Sequence, residues 1–287
     1  MKLIRHGAPG HERPGVLIDE DTLLDVSPHV ADYDAAFFAD GGLEQLSRLL
    51  DGPDAERLDR VPLADVRLGA PIARPHAVLC IGLNYEDHAN EAGMPIPDEP
   101  VLFTKTSNTV VGPNDDIELP RGSERTDWEV ELAVVIGREC RYLEDEAEAV
   151  ASIAGYCVSN DVSERAFQIE RGGQWTKGKS CATFNPLGPW LVTPDEVPDV
   201  GDLALGLDVN GEAMQHGSTS RMVFSVAHVV HYLSQFLVLE PGDVINTGTP
   251  PGVGMGMDPP RYLAAGDVVE PWIEGLGRQR STVVGPR

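Results

Sequence analysis

Two glutamates, Glu129 and Glu131, stand two residues apart in the stretch 127–137, whose other residues are mostly apolar. Side chains on a β-strand alternate between its faces, so the two carboxylates point the same way, roughly 7 Å apart. Like charges on one face repel each other and lose hydration unless a positive group lies between them. A hard divalent cation is the simplest such group, because it prefers carboxylate oxygens. The same pair is also typical of an edge strand that shows its polar face to water.

A second polar group, residues 84–91, follows the predicted strand 76–81. His88 and Glu91 are three residues apart, so on a helical turn the carboxylate can reach the imidazole. Such a contact orients the ring and raises its basicity, which suits it to take a proton from water. An exposed histidine near a helix-capping aspartate has the same spacing and stays open as an alternative.

Asp161 comes directly after the predicted strand 156–158. It is either a third metal ligand or the N-cap of the helix that follows. Arg165 and Gln168 are three apart on that helix and face one side, where they can bind an anionic or carbonyl oxygen.

The glycine-rich run 172–180 contains Lys179. Glycines let the backbone approach a ligand closely, and a lysine there can hold a carboxylate or a developing enolate. The run also has the G-x-x-x-x-G-K-[ST] spacing of a phosphate-binding loop. Because no predicted strand leads into it and it contains Trp175, nucleotide binding is kept only as an alternative.

The segment 246–254, rich in Gly, Pro and Thr, follows a strand that it cannot continue. Its backbone N–H groups and the Thr249 hydroxyl can bind ligand oxygens. A plain surface loop is the alternative.

Element patterns predict a strand-dominated α+β fold. A small β-rich module is expected over 1–72, with a hairpin and a helix at 42–50, and a larger domain over 73–287. Asn210-Gly211 predicts a tight hairpin. Further strands are predicted at 101–103, 117–119, 130–136, 205–209, 244–247 and 268–273, and helices at 144–154, 163–170 and 222–237, the last capped by residues 218–220.

Composition limits the function further. The net charge of -24 argues against nucleic-acid binding, which needs an excess of Lys and Arg. No apolar run is long enough for a membrane helix and the N-terminus lacks a signal-peptide core, so a cytoplasmic protein without a membrane partner is expected. The four widely spaced cysteines indicate reduced thiols, with Cys181 the one candidate for a reactive role.

Together these segments resemble the fumarylacetoacetate hydrolase family from about residue 76 to the end. Within that family the chain looks most like bacterial 2,4-diketo-3-deoxy-sugar-acid hydrolases of the L-rhamnonate or L-fuconate type. The motifs that carry the resemblance are, in chain order, 81–85 with His88 and Glu91, then 127–131, 159–168, 178–179 and 247–254.

The resemblance implies a β-roll catalytic fold, a homodimer, and Mg²⁺, with Mn²⁺ or Ca²⁺ as alternatives, bound by Glu129, Glu131 and Asp161. By the same resemblance His88, assisted by Glu91, would activate water. The substrate's oxygens would be held by Arg165, Gln168, Lys179 and Thr249. Many relatives have an acid three positions after the lysine, where this chain has Ala182.

The expected reaction is hydrolysis of a carbon–carbon bond in a 2,4-dioxo acid, either a diketo-deoxy sugar acid or an acylpyruvate, giving pyruvate and a small acid. The substrate would be a small anionic keto acid. Decarboxylation of oxaloacetate or a related 2-oxo diacid needs the same enolate without the attacking water and is the first alternative. A metal-binding protein without catalysis is the second.

Overall fold

The structure is a computed structural model that describes residues 1–91, 93 and 95–287. Strands dominate it, as expected. They are β1 Lys2–His6, β2 Arg13–Leu17, β3 Thr22–Asp25, β4 Arg60–Pro62, β5 Leu68–Gly69, β6 Val78–Gly82, β7 Val101–Lys105, β8 Val110–Val111, β9 Ile117–Glu118, β10 Thr126–Asp127, β11 Val130–Ile136, β12 Ile153–Asn160, β13 Ser163–Glu164, β14 Asn185–Val192, β15 Ala204–Val209, β16 Glu212–Ser218, β17 Val244–Asn246, β18 Val268–Ile273, β19 Gly277–Arg278 and β20 Ser281–Val284.

The α-helices are short and lie between the strands. They are α1 Ala35–Ala39, α2 Gly42–Leu50, α3 Glu86–Glu91, α4 Glu146–Val150, α5 Arg165–Ile169, α6 Thr176–Lys179 and α7 Val226–Ser234. Six short 3₁₀ turns complete the regular structure of the described residues.

The larger sheet has the strand order β4-β3-β2-β1-β14-β12-β11-β17-β6-β7. Its strands from the first 72 residues are joined to the rest by the β1–β14 pair, in which Leu3 lies opposite Leu191. One sheet therefore runs through both predicted domains, and the boundary near residue 72 stays a prediction.

The smaller sheet has the order β16-β15-β18-β20-β9 and packs over one face of the larger one. Strand β11 lies in the interior of the larger sheet, between β12 and β17, and every residue of it is buried. Val130, Leu132 and Val134 belong to the core between the two sheets, whereas Ala133 and Val135 belong to the core on the opposite face. Glu131 shares the second face by the two-residue alternation of a strand.

Several predicted elements are confirmed with their bounds. Strands 130–136 and 268–273 and helix 42–50 form as predicted. Asn210 and Gly211, with φ values of 54° and 79°, make the tight turn between β15 and β16. Both residues need the left-handed region, which Asn and Gly tolerate best.

Three helix predictions were too long. Helix α7 begins at Val226 with Ser225 as its N-cap, so the predicted cap at 218–220 is wrong. Met222 instead forms a β-bridge with Tyr85, and the Val223 N–H donates to the Asn84 carbonyl, which holds this segment extended. Helix α4 covers only Glu146–Val150 because residue 153 already enters β12. The third predicted helix starts at residue 165, after the short strand β13.

Within the described residues, no helix has the length and apolar character needed to cross a bilayer. Cys80, Cys140 and Cys157 are buried, as expected. Burial raises the pKa of the Cys181 thiol to about 11, which keeps it protonated and argues against a reactive role.

Candidate metal centre and active site

The predicted acidic cluster forms. Glu129, Glu131 and Asp161 each offer a carboxylate oxygen, and these oxygens lie within 4.8 Å of one another. Glu129 directly precedes β11, and the Asp161 N–H donates to the Glu129 carbonyl at 2.9 Å, because β11 and β12 pair antiparallel at this end. Glu129 is 5% exposed and Glu131 is 2% exposed, so the edge-strand interpretation is wrong. A buried set of three carboxylates fits a hard divalent cation.

Lys179 lies against this cluster. Its ammonium donates to a Glu129 oxygen and to an Asp161 oxygen, each at 2.7 Å, and the lysine is buried. Burial alone would lower the pKa of Lys179, but Asp161 and Glu129 hold it above its ordinary value. The lysine is therefore a fixed positive charge beside the carboxylates.

Arg165 connects two carboxylates. Its guanidinium lies 2.7 Å from a Glu129 oxygen and 2.8 Å from an Asp127 oxygen, and it donates to the Gln168 amide oxygen at 3.2 Å. Gln168 makes no hydrogen bond through its amide nitrogen among the described residues, and both side chains line the same cavity.

Two further charged residues of the cluster had no role in the sequence interpretation. Lys105, at the end of β7, is buried and forms an ion pair with Asp161, and it donates to the Phe184 carbonyl at 2.6 Å. Asp127 accepts the backbone N–H groups of Gly254 at 2.7 Å and Met255 at 3.0 Å. For Lys105, the only signal in the sequence was its position in an apolar strand, since lysines are rarely buried without a partner.

The cluster thus contains four carboxylates and three cationic side chains and has a net charge of -1 when all are ionised. Burial works against ionisation of Glu129, yet Lys179 and Arg165 lower its pKa to about 2. Glu131 behaves oppositely, because burial and the charges of Asp161 and Glu129 raise its pKa well above the ordinary value. The protonated, neutral form of Glu131 is therefore favoured in the metal-free cluster.

We expect divalent-metal binding to release about one proton from Glu131. Below its raised pKa the carboxyl is protonated and a cation must displace that proton, so metal affinity rises with pH by up to about tenfold per pH unit. Titration calorimetry in two buffers with different ionisation enthalpies measures the released proton. A metal affinity independent of pH, with no proton released, would contradict this assignment.

Lys105→Met is expected to lower the free energy of unfolding of the metal-free protein by about 3 kcal/mol, because it removes one of the two ammonium groups, those of Lys105 and Lys179, that neutralise the buried Asp161, and leaves the cluster with one more uncompensated negative charge. Saturating Mn²⁺ should raise the free energy of unfolding of the variant by more than it raises that of the native protein, since the cation replaces the missing positive charge. Denaturant unfolding with and without metal measures both effects, with Lys2→Met as the matched control. Equal destabilisation by the two substitutions would show that Lys105 does not neutralise Asp161.

The predicted contact between His88 and Glu91 is present. The His88 Nδ1 lies 3.2 Å from a Glu91 oxygen, and His88 is 8% exposed, so the exposed-histidine alternative is wrong. Glu91 also accepts the Gly252 N–H at 3.0 Å, which ties α3 to the segment 247–254.

The segment 247–254 is a buried wall of the site rather than a surface loop. The Gly248 N–H donates to the Glu131 carboxylate at 2.8 Å. The Thr249 hydroxyl donates to the Val130 carbonyl at 2.9 Å and accepts from the Gln215 amide at 2.8 Å. Its proton is therefore in use, and only its remaining lone pair is left for a ligand.

These side chains line one cavity of about 230 Å³. Eight of the nine predicted site residues contribute to it or to its carboxylate floor directly, namely His88, Glu129, Glu131, Arg165, Gln168, Lys179 and Thr249 at the cavity and Asp161 bonded to Lys179. Glu91 reaches it through His88.

The phosphate-loop alternative loses its support. The run 172–180 follows helix α5 and contains the four-residue helix α6, whereas a phosphate-binding loop joins a strand to a long helix. Its lysine, Lys179, is bonded to carboxylates.

The chain matches a known protein family over most of its length. The family "Fumarylacetoacetate (FAA) hydrolase C-terminal" matches residues 77–284. The chain belongs to this family.

Three similar proteins illustrate its range. A protein from Burkholderia multivorans whose provisional name states only that it is a hydrolase is 54% identical over 280 residues, 97% of each chain. The crystal structure of 2-hydroxyhepta-2,4-diene-1,7-dioate isomerase from Mycobacterium marinum is 36% identical with a TM-score of 0.78, covering 99% of this chain and 98% of that one. Maleylpyruvate hydrolase from Sphingobium sp. SYK-6, solved with manganese(II) and pyruvate, is 28% identical with a TM-score of 0.83 over the full length of both chains.

The family and the β-roll fold implied by the resemblance are thus confirmed. The finer resemblance to sugar-acid hydrolases is not supported by these names, which are those of a hydrolase, an isomerase and a maleylpyruvate hydrolase.

Proposed function

We propose that the protein is a divalent-metal-dependent hydrolase that cleaves a carbon–carbon bond in a 2,4-dioxo acid of the acylpyruvate type. Water adds to the acyl carbonyl, the bond to the central carbon breaks, and that carbon takes a proton, so the products are a carboxylic acid and pyruvate. The observation that carries the proposal is the carboxylate cluster at the floor of a cavity whose wall holds the His88–Glu91 pair. The pyruvate bound to the similar maleylpyruvate hydrolase supports it.

Glu129, Glu131 and Asp161 would hold the divalent ion. When bound, it would supply Lewis-acid stabilisation of enolate charge, worth several kcal/mol. Mg²⁺ and Mn²⁺ both suit three carboxylates, and the manganese in the maleylpyruvate hydrolase structure supports Mn²⁺.

His88 takes the proton from the attacking water in this proposal. The Glu91 carboxylate holds the ring at Nδ1, so Nε2 is the nitrogen left to act as the base. Glu91 is fixed in turn by the Gly252 N–H.

Three other groups would hold the substrate's oxygens. The Gln168 amide nitrogen can donate to a carbonyl or carboxylate, and the Thr249 oxygen can accept from an enol hydroxyl. Lys179 uses two donors on Glu129 and Asp161 and has a third for developing charge. Arg165 is occupied by Asp127 and Glu129, so it orients Glu129 and Gln168.

Oxaloacetate decarboxylation remains the second candidate, because the same cluster would stabilise its enolate. The homodimer, the cytoplasmic location and the sugar-acid substrate stay predictions.

A substrate panel tests the proposal. Acetylpyruvate, maleylpyruvate, a 2,4-diketo-3-deoxy sugar acid and oxaloacetate are supplied to the purified protein with Mg²⁺, with Mn²⁺, and with EDTA. We expect at least one acylpyruvate to be cleaved to pyruvate, with activity lost in EDTA and restored by either metal. Turnover of oxaloacetate alone would establish the decarboxylase, and turnover of none would indicate a metal-binding protein without catalysis.

A further inference from the structure

We propose that the acyl end of the substrate is uncharged and apolar, an aliphatic or aromatic group that binds against Phe103, Ile169 and Trp175. This inference rests on the proposed function, because it assigns the second half of the same acylpyruvate. It separates this protein from enzymes for dicarboxylic or polyhydroxylated dioxo acids.

The cavity has two chemically different sides. Its floor is ionic and contains Glu129, Glu131 and Lys179. The rest of its lining is largely apolar, with Leu83, Phe103, Ile169, Trp175 and Met255 among its residues. We place the pyruvate half, whose oxygens need charged partners, against the ionic floor. The acyl half then lies against the apolar residues, which we name the apolar wall.

The apolar wall is built by specific packing. The rings of Phe103 and Trp175 meet edge to face with centroids 5.2 Å apart. The Trp175 ring lies directly on Gly82, where an added Cβ would be 2.7 Å from a ring carbon. Edge-to-face aromatic pairs of this kind are favourable and limit ring movement. A bare glycine under the indole therefore gives the wall a fixed aromatic surface.

A second carboxylate on the substrate would find no partner at this wall. Of the lining residues that the structure describes, Arg165 and Lys179 are the cations with permanent charge, and both are bound to carboxylates of the cluster. Beyond Ile169, the Arg171 guanidinium stacks over the Phe167 ring at 4.5 Å. Burying a carboxylate without a partner is costly, so a dicarboxylic substrate is disfavoured.

Hydroxyl groups on the acyl half would find few partners. Aliphatic side chains and the Phe103 ring cannot hydrogen-bond, the thioether of Met255 is only a weak acceptor, and the indole N–H of Trp175 can donate a single hydrogen bond. A buried hydroxyl without a hydrogen bond loses its hydration with no compensating interaction, which is unfavourable. The same wall therefore disfavours a sugar acid.

Relative specificity tests the inference. We expect kcat/KM for hexanoylpyruvate and benzoylpyruvate to exceed that for maleylpyruvate and for a diketo-deoxy sugar acid by at least about tenfold, the discrimination that a few apolar contacts provide. A preference for maleylpyruvate or the sugar acid would overturn the inference and leave the proposed hydrolysis standing. Failure to cleave any acylpyruvate in the presence of Mg²⁺ or Mn²⁺ would overturn both.

Ile169→Arg gives a second, independent readout. Ile169 is 50% exposed at the end of α5, so an arginine fits there without disturbing the core. The new guanidinium should raise kcat/KM for maleylpyruvate relative to hexanoylpyruvate at least about tenfold, because it supplies the missing partner. Phe236→Arg, at a 65% exposed residue outside the cavity, is the matched control and should leave the ratio unchanged. An unchanged ratio in Ile169→Arg would place the acyl group elsewhere and overturn the inference.

Discussion

Glu131→Gln is expected to abolish divalent-metal binding and to lower kcat/KM for acylpyruvate hydrolysis by at least about 10³, while the metal-free protein stays as stable as the native one. The loss follows because a neutral amide replaces one of three carboxylate ligands. Stability is retained because burial and the charges of Asp161 and Glu129 raise the pKa of Glu131 and so favour its neutral form in the metal-free protein, and glutamine is neutral and has its shape. The Gly248 N–H can still donate to the amide oxygen.

Thermal unfolding with and without Mn²⁺ gives the clearest readout for this substitution. At a metal concentration 100 times the dissociation constant the native protein gains about 2.7 kcal/mol, and Glu131→Gln should gain nothing. Glu20→Gln, in the exposed turn between β2 and β3, is the matched control and should behave as native. Full metal stabilisation of Glu131→Gln would remove Glu131 from the ligand set.

His88→Ala is expected to lower kcat for hydrolysis by about 10²–10⁴, the usual contribution of a general base, with metal affinity unchanged. His88 contacts Glu91 and lines the cavity, and it makes no hydrogen bond to Glu129, Glu131 or Asp161 among the described residues. Fixed-time assays of pyruvate formation measure the effect on kcat, and metal titration of the same preparation measures the effect on metal affinity.

His228→Ala is the control for this substitution. His228 stacks between Phe224 and Tyr232 on the outer face of α7 and pairs with Glu146, away from the cavity. Any decarboxylation of oxaloacetate should survive in His88→Ala, because it requires no attacking water. Hydrolysis at the native rate in His88→Ala would show that another group activates the water.

The same-face position of Glu129 and Glu131 could be predicted because it follows from the alternation of a single strand. The pairing of His88 with Glu91 could be predicted equally well, since it depends on spacing within one helical turn. In both cases the geometry is local, and the sequence alone contains it.

The partners of the cluster depend on register and could not be derived locally. Lys105 of β7 reaches Asp161, which follows β12, although the strands β11, β17 and β6 separate β7 from β12 in the sheet. Arg165 was predicted to bind an oxygen, and the oxygens that it binds belong to Asp127 and Glu129 of this chain. Side-chain type indicated the chemistry there, and the fold decided the partner.

Helix lengths failed for a related reason. The apolar spacing over 222–237 is present, but Met222 pairs with Tyr85, and the helix begins only after its N-cap at Ser225. A tertiary β-bridge outweighed local periodicity at this point, as tertiary contacts often do.

The proposed metal site is tested most directly by locating the divalent cation, through its anomalous scattering, in a crystal of the protein grown with Mn²⁺. We expect one ion per chain within about 2.0–2.3 Å of a carboxylate oxygen from each of Glu129, Glu131 and Asp161. Crystals that hold manganese elsewhere, or that leave these three side chains bound only to Lys105, Lys179 and Arg165, would contradict it.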